Sequence, residues 1–184
     1  MRVILDTNIL VYLLSDIEHD YRLSDPILGS EIPDAKRRAE ALVDRIDNKN
    51  GTIIVPTPVL AEFLVGIHKD YQQEKLNVIK SLSCFETVSF DELAAIECAS
   101  IPTLKELRKI STEGTANKIK FDRQIIAIAR ARAINADEVW THDKGVFERC
   151  KSLNIPVFTL SSIEPIPVQS LMEFLHDSDD QRLH

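Results

Sequence analysis

The sequence predicts an α/β domain with a mainly parallel sheet flanked by helices. Two observations carry that expectation. Short runs rich in β-branched residues alternate with longer segments in which apolar residues recur at i, i+3 and i+4, and such alternation is how parallel strands are connected. The 184 residues, 44% apolar and 28% charged, also suit one domain with a sizeable core.

Arg2 to Leu5 is the first strand candidate and ends at an acid, Asp6. Ile9 to Leu14 follows as a short helix. Ser15 to Asp34, with Asp25-Pro26, Gly29 and Pro33, reads as a long polar insertion; inside a domain, a loop of about 20 residues is more often functional or mobile than filler. Ala35 to Ile46 is helical by period, and Thr52 to Val55 is the second strand. Thr57 is placed to cap a helix over Pro58 to Ile67, with proline at its first position. Helices over Gln72 to Leu82 and Asp91 to Ile110 flank a third strand, Phe85 to Val88. Phe121 to Ile134 is the last long helix, and Glu138 to Thr141 and Val157 to Leu160 bring the strand candidates to five. The domain therefore spans 1–160, with an insertion near 15–34. Residues 161–184 form an extension in which Val168, Leu171, Met172 and Leu175 recur at helical spacing, before a frayed acidic tail from Asp177 to His184.

Several classes are excluded. No run approaches the roughly 18 to 20 apolar residues of a membrane helix. The chain passes from Met1-Arg2 directly into a strand with no signal-like segment, which predicts a cytoplasmic protein. Cys84, Cys98 and Cys150 are odd in number and lack a CxxC pairing or a suitably spaced histidine, so neither a disulfide framework nor a structural zinc site is expected. Phosphate-loop, dinucleotide and esterase signatures are absent.

The chemistry points to four acids beside core elements. Asp6 closes Val3-Ile4-Leu5, Glu62 is the only charged residue between Val55 and Ile67, Asp122 heads the stripe of Ile125, Ile126, Ala129 and Ala133, and Asp143 follows Val139-Trp140-Thr141-His142. Burying an ionised carboxylate costs several kcal/mol unless a cation or dense hydrogen bonding compensates. Taken singly, Asp6 could cap the next helix, Asp122 could complement a helix dipole, and Asp143-Lys144-Gly145 could be a turn. Together they predict a divalent-metal site at the carboxyl edge of the sheet, where open α/β folds bind ligands. His68 and His142 are expected to be hydrogen-bonded groups rather than ligands, since an oxygen-rich site gives imidazole no advantage.

Four segments, Val3-Ile4-Leu5-Asp6-Thr7-Asn8, Pro58-Val59-Leu60-Ala61-Glu62-Phe63, Phe121-Asp122-Arg123-Gln124-Ile125-Ile126-Ala127-Ile128-Ala129 and Trp140-Thr141-His142-Asp143-Lys144-Gly145-Val146-Phe147, resemble in order and spacing the successive motifs of PIN domains. The resemblance runs from about Arg2 to Leu160. It implies a three-layer α/β/α fold with a central, mainly parallel sheet of about five strands. It also implies a Mg²⁺- or Mn²⁺-dependent nuclease acting on RNA, with Asp6, Glu62, Asp122 and Asp143 as the catalytic, metal-holding quartet and Thr7, Asn8 and Thr141 in support. Many bacterial members are VapC-type toxins inhibited by a small antitoxin, so an antitoxin protein enters as a candidate partner; the C-terminal stripe of Val168, Leu171, Met172 and Leu175 either packs on the protein's own sheet or faces a second subunit or an antitoxin helix, which adds a homodimer. The insertion and the length depart from a compact toxin of that type. Two alternatives stand beside the ribonuclease: a catalytically silent module of the same fold that binds RNA or protein, and a nuclease acting on single-stranded or flapped DNA.

A net charge of −7 is unusual for a nucleic-acid partner, but its distribution is uneven. Between Lys105 and Arg132 eight basic residues face three acidic ones, and phosphate attraction acts within about 8 to 10 Å. Lys118, Lys120 and Arg123, next to Asp122, are therefore expected to bind substrate; the alternative is that they form solvated helix faces.

Overall fold

The computed structural model describes residues 1–14, 22–101 and 115–167, of which 115–120 by their helical backbone only. Five parallel strands form one sheet: β1 (Arg2–Leu5), β2 (Thr52–Pro56), β3 (Phe85–Val88), β4 (Glu138–Trp140) and β5 (Val157–Phe158), in the order β3-β2-β1-β4-β5. Val3 aligns with Ile53 on one side and Glu138 on the other. Seven helices occur among the described residues: α1 (Thr7–Leu14), α2 (Ala35–Asp47), α3 (Thr57–Val65), α4 (Lys69–Ser81), α5 (Glu92–Ser100), α6 (Thr115–Arg130) and α7 (Lys144–Ser152). None is long and apolar enough to cross a membrane.

The sheet's middle is buried on both faces. Val3, Ile4, Leu5, Ile53, Ile54, Val55, Val139 and Trp140 are all fully buried, as continuous apolar strands of a covered parallel sheet should be. The amphipathic α2 supplies Ala39, Leu42 and Ile46, and α6 supplies Ile125, Ile126 and Ile128. Trp140 stacks on Phe158 with ring centres 5.4 Å apart, and its indole N–H donates to Glu138 at 2.8 Å, which also pairs with Arg45 at 2.7 Å.

The expected elements recur with informative differences. β1 and β3 have the predicted bounds. The fifth strand is shorter, because Leu160–Ser162 turns into a 3-10 helix. Thr57 is not a cap: it is already helical, and its hydroxyl instead accepts from the Phe90 N–H at 3.2 Å. α6 begins at Thr115 rather than Phe121, so Asp122 sits in mid-helix instead of at a dipole's end. α5 stops at Ser100; the rest of the predicted helix to Ile110 lies outside the described residues, as do 15–21 of the insertion and the apolar stripe and tail from Val168 onward.

The described part of the insertion, 22–34, is tied down. Leu23 and Ile32 join the core, a bridge pairs Ser24 with Glu31, and Asp25 is 3% exposed. Its carboxylate accepts from the Ile27 and Leu28 N–H groups (2.8 and 2.9 Å) and from the hydroxyls of Thr159 (3.1 Å) and Ser161 (2.6 Å). Burial pushes the Asp25 pKa up, but these donors, Ser161 foremost, outweigh it and hold it at about 2.

Candidate metal centre

Where strand order reverses between β1 and β4, the loops at their carboxyl ends diverge and leave a crevice. A cleft of about 510 Å³ opens there, lined by Asp6, Thr7, Asn8, Glu62, Phe121, Asp122, Ile125, His142 and Asp143. The four predicted acids thus come together although they lie on four separate elements. Asp6 follows β1, Glu62 projects from α3, Asp122 from α6, and Asp143 stands at the head of α7. Thr7 and Asn8 of the predicted supporting set also line the cleft.

Hydrogen bonds through Thr7 and Thr141 link Asp6, Glu62 and Asp143 from one wall to the other. The Thr7 N–H donates to Asp6 Oδ1 at 2.7 Å, and the Thr7 hydroxyl donates to Glu62 Oε2 at 2.5 Å. On the opposite side the Thr141 hydroxyl donates to Asp6 Oδ2 at 2.6 Å and accepts from the Asp143 N–H at 2.9 Å. Asp143 Oδ1 in turn accepts from the Gly145 and Val146 N–H groups, at 2.7 and 3.1 Å, capping α7. Thr7 and Thr141 therefore fix the orientation of Asp6, while Asp143 serves both as a cap and as a wall of the cleft.

The expectation of four buried carboxylates needs correction. Only Asp6 is buried, at 4% exposure; Asp122 and Asp143 are half-buried and Glu62 is exposed. The reason lies in how α3 packs: Pro58, Val59 and Phe63 face the core, whereas Ala61, Glu62 and Val65 face outward. Burial raises the Asp6 pKa from 3.8 to about 6, with Asp143 and Glu62 adding repulsion, against the opposing hydrogen bonds from Thr141 and Thr7. Among the described residues no three His, Cys, Asp or Glu side chains are arranged to hold a metal ion as they stand. Glu62 is engaged by Thr7, and Asp143 by the backbone of α7.

His142 is 8% exposed, and burial lowers its pKa to about 4 despite the opposing influence of the Ser24 backbone and Asp25. Its Nε2 accepts from the Leu160 N–H at 3.1 Å, which places the proton of the neutral ring on Nδ1. His68 is exposed at the start of α4, where its side chain accepts from the Asp70 N–H. Burial pushes the Cys150 thiol up to about 12, with Asp6 adding to the effect, so the thiol stays protonated.

The basic residues divide. Arg123 is not brought to the cleft: its guanidinium donates to the Cys98 carbonyl at 2.6 Å, and Arg130 pairs with Glu97 at 3.1 Å, so both fasten α6 to α5. Lys118 and Lys120 lie on α6 N-terminal to Asp122. Lys105, Arg108 and Lys109 lie outside the described residues.

Three lining or flanking residues were given no role in the site by the sequence reading. Phe121, 46% exposed, and Ile125 form the apolar wall. Gly145 is the third, and it carries no sequence signal beyond a turn-like Asp-Lys-Gly. A Cβ placed on it would lie 3.0 Å from Asp143 Oδ1 and 3.1 Å from Asp122 Oδ2.

Compared with known proteins, residues 3–152 match the family model of the PIN domain. Among solved structures the fold is similar to a chain of VapBC2 from Rickettsia felis, crystallised with a DNA fragment from their promoter; the TM-score is 0.51 at 20% identity, covering 86% of this chain and 98% of that one. It is likewise similar to a chain of DNA-bound VapBC from Salmonella typhimurium, with a TM-score of 0.51 at 22% identity, covering 87% and 98%. No curated protein sequence gives a match.

Proposed function

Since the chain belongs to the PIN domain family, we propose that it is a divalent-metal-dependent endoribonuclease whose metal is held by Asp6, Glu62, Asp122 and Asp143. The observation that carries this reading is the meeting of these acids in one cleft at the sheet's switch point. Their chemistry fits Mg²⁺ or Mn²⁺: all four are oxygen donors, which hard cations prefer. A cation beside Asp6 would also keep ionised a carboxyl that burial pushes up to about 6. When bound, the ion supplies an activated water and neutralises charge developing on the phosphoryl oxygens.

The chain's own residues prepare that chemistry. Thr7 and Thr141 hold the two oxygens of Asp6 from opposite sides, so the carboxylate needs little reorganisation. Glu62, fixed by the Thr7 hydroxyl at the open side of the cleft, can shift without disturbing the core. Asn8, which lines the cleft, is assigned to the substrate's phosphate, and Lys118 and Lys120, in the part of α6 before Asp122, are assigned to substrate binding. The fold shared with chains of VapBC complexes supports a toxin role with a small antitoxin protein as partner.

The test is cleavage of mixed-sequence RNA and of single-stranded DNA, with Mn²⁺ and with chelator. RNA cleavage that needs the ion is expected. Binding of RNA without cleavage under every metal condition would favour the silent module, and equal or faster DNA cleavage would transfer the activity to DNA.

A further inference from the structure

We infer that Gly145 is a positioning residue of the metal centre: its missing side chain leaves the space in which the carboxylates of Asp122 and Asp143 converge. The inference rests on the proposed metal-dependent reading and extends it to a residue that contributes no ligand atom.

The requirement is steric. Gly145 has no positive φ, so its backbone could accommodate any L residue. It is the second residue of α7, and its N–H donates to Asp143 Oδ1 at 2.7 Å. A methyl group there would meet that same oxygen at 3.0 Å from one side and Asp122 Oδ2 of α6 at 3.1 Å from the other. Ordinary carbon–oxygen packing needs several tenths of an ångström more. Apart from its own helix's backbone, what the methyl meets are the ends of two rotatable side chains. The helix can therefore absorb the substitution, and the two carboxylates must move to make room. Preorganised ligands lose function when displaced by a fraction of an ångström to an ångström, so the expected cost falls on metal binding rather than on folding. Asp143 Oδ1 also caps α7, so its displacement weakens the helix's cap, which the better helix propensity of alanine offsets. Gly66 provides a matched control: a Cβ there meets only the Phe63 carbonyl, at 3.5 Å, an ordinary distance.

The experiment compares the full chain with Gly145→Ala and Gly66→Ala by thermal melting in chelator, by the melting-temperature increase on adding Mn²⁺, and by calorimetric titration with Mn²⁺. Gly145→Ala is expected to melt within a few degrees of wild type without metal, to bind Mn²⁺ more weakly by about tenfold or more, and to gain less from it, while Gly66→Ala binds as wild type does. In an Asp122→Asn background the Gly145→Ala effect on Mn²⁺ affinity should shrink, because one of the two displaced ligands is already compromised. Wild-type Mn²⁺ affinity in Gly145→Ala overturns the inference and leaves the metal reading standing. A large drop in metal-free melting temperature also overturns it, since the substitution would then act on the fold. Absence of Mn²⁺ binding by the wild type overturns the metal reading and this inference with it.

Discussion

Asp6→Asn is expected to stabilise the metal-free protein while removing its activity. The Asp6 carboxyl is 4% exposed, and chiefly through burial its pKa rises from 3.8 to about 6. An acid whose pKa is higher in the folded than in the unfolded state contributes most below the unfolded value. That contribution declines as pH rises towards the folded value, and the ionised group then remains a net cost. The interval between 3.8 and about 6 corresponds to about 3 kcal/mol at pH 7.5. Asparagine does not ionise, but one of its two terminal atoms is a donor. It therefore weakens either the Thr7 or the Thr141 hydrogen bond, which returns about 1 kcal/mol. The remaining gain of about 2 kcal/mol is a rise of about 4 to 8 °C in melting temperature for a chain of this size. Melts in chelator from about pH 4.5 to 8 should show the difference between variant and wild type growing up to about pH 6 and then levelling. A difference independent of pH, or a variant that melts below wild type at pH 7.5, would refute the reasoning. Added Mn²⁺ should narrow the gap, because the ion stabilises the ionised wild-type carboxylate.

Other substitutions probe the remaining parts. Glu62→Gln, Asp122→Asn and Asp143→Asn should each abolish most RNA cleavage while the fold persists. Asn is as good a helix cap as Asp, so Asp143→Asn should keep its melting temperature in chelator, whereas Asp143→Ala should lose about 1 kcal/mol. Asp25→Ala should cost about 2 to 4 kcal/mol by leaving the donors of Ile27, Leu28, Thr159 and Ser161 without their acceptor. Because the Asp25 pKa is lowered to about 2, that contribution is present above 3.8 and lost as pH falls towards 2; denaturant melts at about pH 7 and pH 3 should show the penalty shrinking in acid. Charge reversal at Lys118 and Lys120 together should weaken RNA binding and flatten its salt dependence, by about one unit of slope for each phosphate that is no longer neutralised. An unchanged salt titration would return both lysines to the solvated helix face.

The sequence made most of the sheet legible and only part of the site. β1 and β3 were readable to the residue because each β-branched or aromatic run ends at a polar residue, Asp6 and Ser89. The start of α6 was hidden, since Thr115-Ala116-Asn117-Lys118-Ile119-Lys120 shows little apolar period. α7 was not anticipated at all: Asp143-Lys144-Gly145 has turn chemistry, yet the same aspartate caps a helix that buries Val146, Phe147 and Cys150. The four acids could be identified one at a time because each interrupts an apolar pattern. Their convergence could not, because it depends on the strand order that sets β1 beside β4. Glu62 looked buried because α3 is apolar on nearly every side, but a helix at the edge of a core can expose apolar residues, as Val65 does at 85%. Gly145 was beyond sequence reasoning, since what requires it is the position of Asp122 on another helix.

Crystals of the protein grown with Mn²⁺, measured at the manganese absorption edge, would locate the ion directly. An anomalous peak among the carboxylates of Asp6, Glu62, Asp122 and Asp143, absent from crystals of Asp6→Asn, is the predicted result. A peak elsewhere on the molecule, or none in the cleft at saturating Mn²⁺, would contradict the assignment of these acids as the metal centre.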